Sequence, residues 1–154
     1  MMMPGIAVRT LLVEDCEEDA GRLLDELRRG GLDPTWRRVE TREALLEALA
    51  AERWDVVLAD QSLPDFSALG ALRAVQASGV DVPVLVVSGT IDAELAVEMM
   101  RSGAADYVPK SNLGRLAAAI QRERKSAEER RARRLAEQRE LQELALRDRA
   151  IQAV

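Results

Sequence analysis

Asp55-Val-Val-Leu-Ala-Asp60 is the stretch from which the fold of this 154-residue chain can be worked out. Four apolar residues between two aspartates have the length and composition of a strand that is buried on both faces. Pro83-Val-Leu-Val-Val87 and Arg9-Thr-Leu-Leu-Val13 are two further runs of this type. Such runs are typical of the central strands of a parallel sheet, because helices cover both of its faces.

Amphipathic patterns with helical spacing separate these strands. The predicted helices are Asp19–Arg29, a second one opened by Thr41, Phe66–Ala77 and Asp92–Arg101. Two shorter strands are predicted at Thr35–Val39 and Ala105–Val108. The alternation of strand and helix predicts an α/β fold, with a doubly wound five-stranded parallel sheet and helices on both faces. Trp36 and Trp54 are expected as core residues or as covers of a helix.

The last part of the chain, from Leu113 to Val154, has no proline and is rich in Glu, Arg, Ala and Leu. This composition predicts one long helix that first completes the domain and then extends beyond it. A heptad can be drawn through apolar residues of this segment, namely Leu116, Ile120, Ala127, Leu141, Leu144 and Ile151. Charged residues such as Arg134 interrupt that heptad, so the predicted coiled coil should pair weakly in its central part. We therefore divide the chain into residues 1–122 and a helical linker, residues 123–154.

Composition and charge exclude several classes of function. The chain has no histidine and one cysteine, Cys16, which excludes a Ser-His-Asp triad, a histidine-ligated metal and a thiolate zinc cage. Residues 1–114 carry 11 basic and 20 acidic side chains, whereas residues 115–154 carry 11 and 7. Residues 1–7 lack the pattern of a signal peptide, and no apolar run is long enough to span a membrane. We expect a cytoplasmic protein without membrane contact.

Polar side chains stand where the predicted strands end. Glu14-Asp15, Asp60, Ser88 and Lys110 each follow a different strand, and the carboxyl ends of parallel strands meet at one edge of a sheet. Close carboxylates repel by ~4 kcal/mol per pair at an effective dielectric near 20, so such a site needs cations. Since only oxygen ligands are present, magnesium is favoured over zinc. A central carboxylate in this setting can act as a nucleophile towards phosphorus.

The ordered set of these motifs resembles the receiver domain of two-component response regulators. The matching pieces are Leu11-Leu-Val-Glu-Asp15, Asp55–Asp60 with Leu63-Pro64, Pro83-Val-Leu-Val-Val-Ser-Gly89 and Gly103-Ala-Ala-Asp-Tyr-Val-Pro-Lys110. The resemblance covers about residues 8–122. It implies a flavodoxin-like sheet with strand order 2-1-3-4-5, and a phosphoacceptor domain rather than an enzyme.

The resemblance also implies a metal site at the phosphoacceptor. Asp60 matches the residue that accepts the phosphoryl group. Asp15 matches a direct ligand of Mg²⁺, and Glu14 matches a residue that binds this ion mainly through water. Ser62 would offer its backbone carbonyl, and Asp60 itself completes the ligand set.

Three further residues match positions that respond to the phosphoryl group in this family. Ser88 would form a hydrogen bond with it, Lys110 would pair with it, and Tyr107 matches the aromatic residue of the conformational switch. The chain departs from the family at the residue after the lysine, because Ser111 stands where a proline is usual and Pro109 precedes the lysine. This departure concerns the shape of the loop after the fifth strand.

The function implied is phosphorylation of Asp60 by a sensor histidine kinase or a phosphotransfer protein, followed by regulation of an output domain outside this chain. The C-terminal helix is expected to form a parallel homodimer. One alternative is an adaptor that keeps the fold without phosphorylation. An aspartyl-nucleophile phosphohydrolase is disfavoured, because such enzymes carry a second acid where Ser62 stands. Direct nucleic-acid binding through Arg130–Arg134 is disfavoured by the surrounding glutamates.

Overall fold

The computed structural model describes residues 5–62, 66–90 and 92–152. The expected Leu63-Pro64 motif lies outside these residues. Strands and helices alternate along the described chain in the order β1 (Ile6–Val13), α1 (Glu17–Arg29), β2 (Leu32–Val39), α2 (Arg42–Ala51), β3 (Val56–Asp60), α3 (Ala68–Ser78), β4 (Val84–Ser88), α4 (Ala93–Arg101), β5 (Asp106–Pro109) and α5 (Leu116–Gln152). A 3₁₀ turn, Lys110–Arg115, joins β5 to α5.

The five strands form one parallel sheet in the order β2-β1-β3-β4-β5. This is the predicted order, and the central position of β1, β3 and β4 accounts for their apolar sequences. β3 and β4 are buried along their whole length. The carboxyl ends of all strands lie at the same edge, which is where the candidate site forms.

Successive residues of each central strand point to opposite faces, and each face has its own core. Leu11 and Val57 belong to the core that α2, α3 and α4 cover. Leu12 and Leu58, one position further along, belong to the core that α1 and the first turns of α5 cover. The predicted doubly wound arrangement, with helices on both faces, is therefore confirmed.

The bounds of several elements differ from the predicted ones. β2 begins at Leu32 and includes Pro34, which a parallel sheet tolerates because β2 is an edge strand and needs fewer backbone donors. α5 begins at Leu116 and not at Leu113, since the preceding 3₁₀ turn contains a non-helical residue, Asn112. The predicted start of α2 is confirmed, because the Thr41 side chain accepts a hydrogen bond from the Ala44 amide at 3.1 Å.

The two tryptophans lie in different surroundings. Trp54 is buried, and its indole N–H donates to the Ala48 carbonyl at 2.9 Å. Trp36 on β2 is half exposed and lines a surface cavity together with Gly21 and Leu24 of α1.

The chain divides into two units, residues 1–124 and residues 125–154. The second unit is helical as far as it is described, up to Gln152. Its large apolar side chains are exposed: Leu135, Leu141, Leu144, Leu146 and Ile151. Among the described residues, no helix is both long and apolar enough to cross a membrane.

Candidate functional site

The strand ends bring four of the expected residues to one edge of the sheet. Asp60 and Ser88 are the last residues of β3 and β4, while Glu14 and Lys110 directly follow β1 and β5. Glu14, Asp60 and Ser88 are almost completely buried. Three polar side chains withdrawn from water at one place need partners there.

Asp60 is held by hydrogen bonds to both of its carboxylate oxygens. Oδ1 accepts from the Ser62 amide at 2.9 Å and from the Ser62 hydroxyl at 2.8 Å. Oδ2 accepts from the Lys110 ammonium at 3.0 Å. Burial by itself would raise the pKa of Asp60, but the neighbouring Glu14 carboxyl and the hydrogen bonds from Ser62 and Lys110 outweigh burial and lower this pKa to about 2. Asp60 is therefore ionised near neutral pH.

The pKa of Glu14 is shifted in the opposite direction to that of Asp60. Its Oε1 accepts from the Cys16 amide at 3.0 Å, while its buried Oε2 has no hydrogen-bond donor among the described residues. The pKa of Glu14 is raised to about 8, mainly by burial and further by the neighbouring carboxyls of Asp60 and Asp15. Because two adjacent carboxyl groups resist double ionisation, Glu14 keeps its proton while Asp60 is charged.

The Lys110 ammonium lies between two carboxylates. It is 3.0 Å from Asp60 Oδ2 and 3.6 Å from Asp19 Oδ2. Burial opposes the charged form of the lysine, but Asp60, Asp19 and Glu14 more than compensate and raise its pKa above the ordinary value. Lys110 thus stays charged in the site.

Three carboxylates are arranged so that they could hold a metal ion. Oxygen atoms of Glu14, Asp19 and Asp60 all lie within 4.8 Å of one another. The unpartnered Glu14 Oε2 and the all-oxygen donor set fit a hard divalent cation. Asp15, the expected direct ligand, is exposed and does not belong to this group of three, although its carboxyl interacts with that of Glu14.

Sequence reasoning did not single out Asp19. This residue lies in the first turn of α1, four positions after Asp15, and it follows no strand. The sequence offered one indication of its role: Asp19 is close to the end of β1 along the chain, so the first turn of α1 could bring it back over that strand end. Whether it does so depends on the direction in which α1 leaves the sheet, and residue spacing alone does not give this direction.

Ser88 and Tyr107 are linked through one backbone carbonyl. The Ser88 hydroxyl donates to the Thr90 carbonyl at 3.2 Å, and the Tyr107 hydroxyl donates to the same oxygen at 3.4 Å. The Thr90 amide in turn donates to Ser88 Oγ at 3.3 Å. A displacement of Ser88 would therefore be felt by Tyr107 through the loop after β4. The Thr90 hydroxyl also lies 3.3 Å from Ser88 Oγ, but the link to Tyr107 runs through the Thr90 carbonyl, which no side-chain motif could have marked.

The fold and the site together define a flavodoxin-like α/β domain with an acidic pocket and a lysine at the carboxyl edge of its sheet. The profile of the response regulator receiver domain matches residues 10–121 of this chain. The chain belongs to this family, as its motifs predicted. Membership implies phosphoacceptor signalling in two-component systems.

Individual relatives agree with this family. The response regulator protein FleR of Pseudomonas aeruginosa is 34% identical over 105 residues, which cover 68% of this chain and 22% of FleR. A protein-glutamate methylesterase/protein-glutamine glutaminase of Nocardioides sp. is 31% identical over 130 residues, which cover 80% of this chain and 34% of that protein. The chain thus spans about a fifth to a third of these relatives.

A solved structure shows the same fold. The chain superposes on full-length FixJ from B. japonicum with a TM-score of 0.67 and 27% sequence identity, covering 79% of this chain and 59% of FixJ. The likeness supports the fold described above.

Proposed function

We propose that Asp60 accepts a phosphoryl group from the phosphohistidine of a sensor histidine kinase or a phosphotransfer protein. The observation that carries the proposal is the buried, ionised Asp60 carboxylate beside the Lys110 ammonium, 3.0 Å away. An ionised carboxylate is the form that can attack phosphorus. The neighbouring cation offsets the charge that collects on the phosphoryl oxygens.

In the proposed step a carboxylate oxygen of Asp60 attacks the phosphorus. The oxygen–phosphorus bond forms while the nitrogen–phosphorus bond of the donor breaks, and the imidazole nitrogen keeps the bonding electron pair. Lys110 pairs with a phosphoryl oxygen, and the Ser88 hydroxyl donates a hydrogen bond to another. Moving Ser88 towards the phosphoryl group would break its hydrogen bond to the Thr90 carbonyl, the same oxygen that accepts from Tyr107, and so change the surroundings of the Tyr107 hydroxyl.

A magnesium ion fits the carboxylate pocket as the divalent partner of this reaction. Glu14, Asp15 and Asp60 would hold it, with the backbone carbonyl of Ser62. When bound, the ion neutralises charge on the transferred phosphoryl group. Ser62 itself has no carboxyl group to activate water, so we propose a signalling role rather than hydrolytic turnover.

The test is phosphorylation of the full chain by acetyl phosphate with magnesium, read by intact mass and by phosphate-affinity gels. We expect one phosphoryl group on the wild type, none on Asp60→Asn, and none when magnesium is chelated. Asp33→Asn is the matched control, because Asp33 is an exposed aspartate on β2. A label that persists in Asp60→Asn would contradict the assignment. An unlabelled wild type would instead support the adaptor alternative.

We also propose that the C-terminal helix pairs with a second copy of the chain in parallel. Leu141, Leu144 and Ile151 follow one heptad frame, and each is at least half exposed on the described helix. Apolar residues at these spacings form the seam of a two-stranded coiled coil. Arg134 and Asp148 fall in the same frame, so the pairing should be weak enough for phosphorylation to influence it.

Sedimentation of the full chain at high micromolar concentration tests the pairing. We expect a dimer for the wild type and a monomer for Leu141→Lys combined with Leu144→Lys. Leu146→Lys is the matched control, because Leu146 is equally exposed but lies outside the seam. A wild type that stays monomeric with and without phosphoryl donor would refute the proposal.

A further inference from the structure

Asp19 is the acidic residue of the site that neither the strand ends nor the receiver motifs mark. Its carboxylate lies within 4.8 Å of the carboxylates of Glu14 and Asp60, and 3.6 Å from the Lys110 ammonium. About a third of its side chain is exposed, so the residue is at the mouth of the pocket. The first turn of α1 places it there.

We propose that Asp19 is an additional carboxylate of the phosphoacceptor site, and that its charge strengthens binding of the divalent cation directly. The inference deepens the proposed function and rests on it. It is carried by two independent observations. One is the mutual proximity of the three carboxylates, and the other is the buried Glu14 Oε2, which lacks a donor among the described residues and belongs to the same group.

The geometry favours a direct effect over one exerted through Lys110. The lysine donates its hydrogen bond to Asp60 at 3.0 Å, whereas Asp19 is only at ion-pair distance. The other Asp19 oxygen, Oδ1, is 3.9 Å from the Arg22 guanidinium, which is again an ion-pair distance and not a hydrogen bond. Neither cation therefore binds the Asp19 carboxylate closely enough to prevent it from acting on a third. A single ammonium also cannot balance several carboxylates, and the attraction of a nearby carboxylate for a divalent ion stays substantial even when water partly screens it.

The experiment measures Mn²⁺ binding to the full chain by electron paramagnetic resonance, and Mg²⁺ binding by calorimetry, at one pH and ionic strength without phosphoryl donor. We expect Asp19→Asn to raise the Kd for either ion about fivefold or more, from the Coulomb attraction of one lost charge. Glu18→Gln is the matched control, since it removes a charge from the exposed neighbouring position, and its Kd should stay within about twofold of wild type. Equal Kd values for the two variants would overturn the inference.

Two further variants separate the direct effect from other causes. Asp19→Glu keeps the charge and should bind within about twofold of wild type, whereas a merely structural role would show equal losses in Asp19→Glu and Asp19→Asn. In a Lys110→Ala background, Asp19→Asn should weaken binding by about the same factor. If the effect vanishes there, Asp19 acts only through the lysine and the inference fails.

These measurements do not depend on phosphorylation. If Asp60 takes no label from acetyl phosphate but Asp19→Asn still weakens cation binding, the proposed function fails and the role of Asp19 stands. If Asp60 is labelled and Asp19→Asn binds both ions as the wild type does, only the role of Asp19 fails. Circular dichroism of each variant confirms that the comparison is made on folded protein.

Discussion

Replacing Glu14 by glutamine should stabilise the cation-free protein at neutral pH. In the folded chain the pKa of Glu14 is raised to about 8, against an ordinary value of 4.5. The free energy of unfolding is therefore lower at any pH at which Glu14 is ionised in the unfolded chain but protonated in the folded chain. The stability that depends on Glu14 is complete below pH 4.5 and is lost as the pH rises to about 8. Glutamine has nearly the same shape as the protonated carboxyl and carries no charge in either state.

The size of the effect follows from the two pKa values. Each unit of difference corresponds to about 1.4 kcal/mol. At pH 7 the unfolded Glu14 is ionised while the folded Glu14 keeps its proton, so the wild type has lost about 3 kcal/mol relative to pH 4.5. The Glu14→Gln variant escapes this loss. Its advantage in free energy of unfolding over wild type should therefore grow by about 3 kcal/mol between pH 4.5 and pH 7.

Urea unfolding of both proteins at several pH values between 4.5 and 8, with a chelator present, measures this difference. Glu18→Gln serves as the control, because Glu18 is exposed and its removal should leave the pH dependence parallel to wild type. If Glu14→Gln and wild type also run parallel across this pH range, the buried Glu14 does not hold its proton and the reasoning is refuted.

Two other substitutions give further predictions. Lys110→Arg should lower the rate of Asp60 phosphorylation severalfold in a phosphate-affinity gel assay, because a planar guanidinium cannot replace an ammonium that fits 3.0 Å from Asp60 Oδ2; an unchanged rate would make Lys110 an ordinary surface cation. Gly30→Ala should cost about 1–3 kcal/mol of unfolding free energy in urea, since its new methyl would overlap the side chain of Ala117. Gly21→Ala adds a methyl in open space within α1 and should be neutral or stabilising, and equal effects of the two glycine substitutions would refute the packing argument.

The central strands could be predicted because their residues are buried on both faces and must all be apolar. The edge strand β2 was harder, and only its second half, Thr35–Val39, was predicted. Its pairing with β1 extends from Leu32 to Val39, and Trp36, Arg37 and Arg38 within it are exposed or half-buried. An edge strand needs a neighbour on one side only, and its sequence therefore carries a weaker pattern. The start of β1 at Ile6 was missed for the same reason, since Ile6 pairs only with β2.

In the candidate site, the residues at strand ends could be predicted from the sequence, whereas the residues from helices and loops could not. Glu14, Asp60, Ser88 and Lys110 could be predicted because a parallel sheet brings its carboxyl ends to one edge, whatever the helices do. Asp19 reaches that edge from a helix, and its position depends on the angle at which α1 leaves β1. Thr90 connects Ser88 to Tyr107 through its carbonyl, a main-chain group that every residue possesses. Neither contribution follows from side-chain identity and spacing.

The difference between site residues at strand ends and those in helices or loops has a functional consequence. Residues at strand ends are fixed by the sheet, and so the phosphoacceptor chemistry proposed for Asp60 and Lys110 should follow the fold. Asp19 and Thr90 belong to segments that can change their course without disturbing a strand: the first turn of α1, and the loop after β4. Cation affinity and the coupling between Ser88 and Tyr107 are therefore the properties that sequence changes can adjust while the acceptor site itself stays the same.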